Sequence, residues 1–81
     1  MFEQLKQIKQ IKKLHNALQE EKVEIEKQGI KIVLNGRLEV EEMVLNPQLQ
    51  KEDQEEILKE CFNEAIRKIQ MKVAQKMANI M

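Results

Sequence analysis

Few residues in this 81-residue chain could do covalent chemistry. His15 is the only histidine, Cys61 the only cysteine, and there is no serine at all. A nucleophile needs a base within hydrogen-bond reach, and the base needs a partner that orients it. His15 and Cys61 fall on different helical stretches, and nothing near His15 in the sequence would hold its ring. Cys61 therefore reads as a small buried hydrophobe and His15 as a surface or edge residue. Glu39, Glu41 and Glu42 could imitate an acid–base pair. On a strand, however, they read as solvated charge that discourages edge pairing. No glycine-rich phosphate loop and no metal-ligand spacing occurs. The expectation is a protein that is not an enzyme, with no metal, no cofactor and no small-molecule substrate.

What remains is charge, and it is segregated. The formal net charge is zero, with 14 basic and 14 acidic residues. Residues 1–19 hold Lys6, Lys9, Lys12 and Lys13 against Glu3, a net of +3. Residues 65–81 hold Arg67, Lys68, Lys72 and Lys76 and no acid, a net of +4. The 45 residues between them have 6 bases and 13 acids, a net of −7. Two basic ends flank an acidic middle, and basic clusters of this kind are the electrostatic footprint of a polyanion binder.

Helices must carry those ends. Residues 1–22 contain no glycine or proline and read as a helix over 2–22. Its apolar residues Phe2, Leu5, Ile8, Ile11 and Leu14 come at every third position. At about 100° per residue such a stripe winds around the helix, which suits a crossing or coiling neighbour or a frayed first turn. Residue by residue it also reads as a core-facing amphipathic helix with a solvated lysine face. From residue 53 to 80 nothing breaks a second helix, roughly 40 Å long. Asp53 and Glu56 form a capping box at its start, after an Asn46-Pro47 turn that Leu49 could pin to the sheet. Leu58, Phe62, Ala65, Ile66, Ile69, Val73, Met77 and Ile80 share one apolar band, and Lys76 falls inside it. A lysine there must snorkel, or packing has ended and the helix is open to an anion.

The middle reads as strands. Apolar and charged residues alternate over 23–28, 30–35 and 37–45, the period of half-buried strands. Asn35-Gly36 is a strong two-residue hairpin signal, expected in a type I′ turn with positive φ at both positions. Gln28-Gly29 is a weaker signal of the same kind. The third run has a parity fault between Leu38, Val40 and Met43, Leu45, which one bulge near Glu41-Glu42 would mend. The fold class expected is α/β of the α+β type: a long N-terminal helix, a three-stranded antiparallel meander, a short turn and a long C-terminal helix. Because the first helix enters the sheet and the last leaves it, both basic ends lie distal to it.

Composition bounds the assembly. One domain over 1–81 is expected, with a core too small to be comfortable alone. One cysteine makes no internal disulfide, so association with a second copy is the expected remedy. Val33 and Val44 on the second face of the sheet mark the expected homodimer interface. No membrane-length apolar run or signal peptide is present, and the cytoplasm is the expected location. Phe2 and Phe62 are the only aromatics, too few for a base-stacking platform.

Three local motifs carry a resemblance that spans the chain. IVLNG at 32–36, MVLNP at 43–47 and CFNEAIRKIQ at 61–70 follow a lysine- and glutamine-rich opening, in an order that resembles the YbaB/EbfC nucleoid-associated family. The resemblance implies two long helices on a small antiparallel sheet, a tweezer-like homodimer, and sequence-tolerant binding of double-stranded DNA in the bacterial nucleoid. It departs from the family in three places. The glycine-rich first turn is cut to Lys27-Gln28-Gly29, the link after Pro47 is shorter, and the proline- and glycine-containing tail of many members is absent. The DNA-binding residues expected are Lys6, Lys9, Lys12, Lys13, Arg67, Lys68, Lys72 and Lys76. The competing class is a protein-interaction or chaperone-like helix–hairpin–helix module, which Met71, Met77 and Met81 near the last tip would favour.

Overall fold

A computed structural model describes residues 12–13 and 15–80. The order is a short helix α1 over 15–20, strands β1 (Lys22–Lys27), β2 (Ile30–Asn35) and β3 (Val40–Val44), and helix α2 (Lys51–Ile80). The three strands form one antiparallel sheet in the order β1-β2-β3.

Residues 2–11 and 14 of the expected N-terminal helix lie outside the described residues. Residues 12–13 are helical, and α1 ends at residue 20, so the described helix is short and stops before 22. Its end is fixed from outside. The Leu18 carbonyl accepts the Glu21 N–H at 3.2 Å and the Gly36 N–H at 3.0 Å, and the Glu21 carbonyl also accepts from Gly36 at 3.0 Å. The chain is thus turned into β1, where Lys22 pairs with Asn35.

The turns exchange the roles that the sequence suggests. The type I′ expectation for Asn35-Gly36 fails: the positive-φ residues are Gln28 (51°), Gly29 (84°) and Leu38 (62°). The tight two-residue hairpin is Gln28-Gly29, closed by the pair Lys27–Ile30. At the other turn Asn35 closes a three-residue loop. Its N–H donates to the Glu39 carbonyl, and its carbonyl accepts from Leu38. The buried side-chain Oδ1 of Asn35 accepts the N–H groups of Arg37 and Glu39 at 2.9 and 3.1 Å. The side chain gives the loop its shape, so neither Asn35 nor Gly36 needs positive φ. Leu38 takes the left-handed residue of such a loop, a position that usually favours glycine.

Because the loop runs through Glu39, β3 starts at Val40 and not at 37. Its register jumps from Val33–Glu42 to Leu34–Val40, leaving Glu41 unpaired. This is the bulge that the parity fault requires, and it sets Val40 and Met43 beside Leu34 and Ile32. Leu38 and Leu45 lie outside the strand.

α2 starts two residues before the expected Asp53, because Gln54 N–H already donates to the Gln50 carbonyl at 2.8 Å. Gln50 therefore stands at the cap position and Asp53 in the first turn, where with Glu52 it still complements the helix dipole. The core joins Val23, Ile25, Ile30, Ile32 and Leu34 to Cys61, Ala65 and Ile69, with Leu58, Phe62 and Val73 against it. Burying each such aliphatic side chain is worth about 1.5–3 kcal/mol. Ile66 and Met77 are partly exposed, so the packed stripe is narrower than the expected band. α2 packs on β1 and β2, and every residue of β3 is exposed. The described molecule measures 58 × 20 × 15 Å.

Candidate nucleic-acid interface

The 30-residue α2 is polar along its length in the electrostatic sense. Its first half carries Glu52, Asp53, Glu55, Glu56, Glu60 and Glu64, and its second half Arg67, Lys68, Lys72 and Lys76. The second half runs back along β1: Lys27 pairs with Glu64 at 3.3 Å, Lys72 reaches Lys22, and Lys76 reaches Glu21. The end of α1 and the second half of α2 therefore meet at the same end of the sheet, where Lys22, Lys72 and Lys76 lie near Glu21 and Glu41.

The expected contact residues differ in what they already touch. Lys6 and Lys9 lie outside the described residues. Lys12, Lys13 and Arg67 are exposed. Lys68 is exposed and pairs one turn back with Glu64 at 3.7 Å. Lys72 donates to the Lys22 carbonyl at 2.8 Å, capping a free backbone acceptor on the edge of β1. Lys76 lies 3.5 Å from Glu21. Lys22, counted with the acidic middle by sequence, pairs with Glu41 at 3.3 Å and lines one shallow groove with Glu24, Lys68, Met71, Lys72 and Gln75.

The opposite end is compensated. Lys31 donates to Glu24 at 2.9 Å and to Glu42 at 3.3 Å, bonds that hold its ammonium above the ordinary lysine value. The hydrogen bond from Lys27 lowers the Glu64 carboxyl. Val33 is half-buried on this outer face, beside Glu42, and Val44 is exposed on the same face opposite Lys31. The larger exposed apolar set is Leu38, Val40, Met43 and Leu45. His15 is exposed on α1, while Cys61 is buried, and burial pushes its thiol up. Among the described residues no group of histidine, cysteine and acids could hold a metal, and no helix is long and apolar enough to cross a membrane.

The arrangement can present several cations to a spaced row of anions. No curated protein and no solved structure matches the chain. Its sequence matches the YbaB/EbfC DNA-binding family over residues 1–81, the whole chain, and the chain belongs to that DNA-binding family.

Proposed function

We propose that the protein binds double-stranded DNA with little sequence preference, as a nucleoid-associated homodimer in the bacterial cytoplasm. The observation that carries this is the stretch 65–80 of α2, four cations and no acid. Lysines without a groove-reading element contact phosphates, which position a duplex without reading it. Arg67, Lys68, Lys72 and Lys76 on α2, with Lys6, Lys9, Lys12 and Lys13 of the N-terminal stretch, are the contacts. A second copy covers apolar surface at the sheet, including Val44 with its neighbours on β3. Supporting this is a strand with five large apolar residues exposed in or beside it, on a domain with a small core.

Titration of a random-sequence duplex at several salt concentrations tests the reading. Affinity should fall with a log–log slope of about −0.9 for each phosphate neutralised, and by the same amount for any sequence. Sedimentation should give twice the 9.6 kDa chain mass at micromolar concentration. A second reading, an interaction module that holds a protein client, is favoured by Met71, which is 65% exposed on the last helix. Absence of duplex binding at low salt would put that reading first.

A further inference from the structure

Lys76 breaks the pattern of its helix. It continues the stripe of Ala65, Ile69 and Val73 that packs inward, where another aliphatic residue would be expected. It is the most covered cation of the second half of α2, half-buried where Arg67, Lys68 and Lys72 are exposed. What it meets is a carboxylate: Glu21 Oε1 lies 3.5 Å from its ammonium, with side chains 33% and 25% exposed.

That carboxylate is held in place by the backbone. The Glu21 N–H donates to Leu18, and its carbonyl accepts from Gly36 at 3.0 Å. One helical turn before Lys76, Lys72 is bonded to the Lys22 carbonyl. The junction between α1 and β1 therefore offers two acceptors, spaced to match two lysines four apart on one face of α2.

We propose that Glu21 is a built-in competitor for DNA phosphate at Lys76: an autoinhibitory carboxylate that occupies the ammonium in the free protein and that a duplex must displace. This rests on the DNA-binding reading above and names a control on the same surface. Carboxylate and phosphodiester oxygens ask the same thing of an ammonium, so the two exclude each other. A partly exposed pair of this kind is weak, so it yields to a dense row of phosphates yet resists an isolated anion. Lys76 is thereby reserved for a polyanion long enough to engage neighbouring cations at once.

The test compares two acids at equal charge change. Glu20 adjoins Glu21, is exposed, and makes no ion pair among the described residues. Glu21→Gln keeps both backbone bonds, and its thermal melt checks that the fold is retained. Binding of a random duplex, read by fluorescence anisotropy, should tighten about two- to fivefold per protomer in Glu21→Gln. It should change by clearly less in Glu20→Gln. In a Lys76→Gln background, adding Glu21→Gln should produce no further gain. Equal gains from Glu20→Gln and Glu21→Gln would overturn the proposal, because net charge alone would explain them. So would unchanged or weaker binding by Glu21→Gln, or a gain that survives in Lys76→Gln. Loss of all binding in the wild type at low salt would instead remove the DNA reading, and the competitor with it.

Discussion

Each end of the sheet carries one glycine and its own lysines, and the two ends use them differently. At the hairpin end Gly29 supplies positive φ to a tight turn, and Lys27 and Lys31 are consumed by Glu64, Glu24 and Glu42. At the junction end Gly36 supplies no unusual φ. It supplies room: a Cβ placed there would stand 2.2 Å from the Leu18 carbonyl oxygen. The lysines at that end each hold one partner: Lys72 a backbone carbonyl, Lys76 and Lys22 a single carboxylate each. The lesson is that a hairpin end can close on itself, whereas an end that joins three elements needs a missing side chain to let backbones meet, and keeps charge in hand.

Five variants test the difference between the two ends. Gly36→Ala has the largest expected effect. The new methyl must push the Leu18 carbonyl away and break both bonds that the Gly36 N–H makes, at about 3 kcal/mol or more. A urea melt reads this, and an unchanged midpoint would mean that α1 does not close on the loop. Next comes the charge contrast. Lys68→Gln with Lys72→Gln should weaken duplex binding about tenfold or more and reduce the salt slope by about 1.8. Lys27→Gln with Lys31→Gln removes the same charge and should cost about threefold at most, since acids surround those sites. Equal losses would erase the difference between the ends.

Gly29→Ala should cost about 1–2 kcal/mol, the ordinary penalty of a left-handed alanine, plus a shift of the Asn46 side chain 2.9 Å from the new methyl. A Gly29→Ala loss matching that of Gly36→Ala would mean that both glycines serve one purpose. The smallest effect belongs to Glu64, whose carboxyl is lowered by the hydrogen bond from Lys27. A lowered acid stabilises above its unfolded pKa of about 4.3, and the contribution is lost as pH falls through the folded value. Glu64→Gln should therefore flatten the acid limb of the Tm–pH curve and leave the neutral plateau nearly in place.

Period-two alternation made β2 readable to the residue, and a parity fault was enough to expect a bulge near Glu41-Glu42, where Glu41 is the unpaired residue. Both are local signals that burial on one face enforces. The Asn35-Gly36 turn misled because asparagine has a second way to shape a loop, accepting two N–H groups with its side chain. Gly36 answered to Leu18, eighteen positions earlier, and no local rule sees that far. The same holds for the site. The clustering of Arg67, Lys68, Lys72 and Lys76 was visible as composition, but Glu21 and the Lys22 carbonyl lie some fifty positions from the lysines they engage. Their meeting is a product of α2 running back along β1, which only the assembled sheet dictates.

Cys61 turns the small core into its own clock. Its thiol is shielded between α2 and the sheet, is the sole thiol of the chain, and has its pKa raised by burial. An alkylating reagent can therefore label the chain only during moments when helix and sheet separate. The rate of labelling, followed by mass, reports how often that separation occurs under native conditions, without denaturant and without any introduced probe. If DNA or a second copy holds the helix down, labelling slows in proportion, and one cysteine measures the coupling between binding and the breathing of the fold.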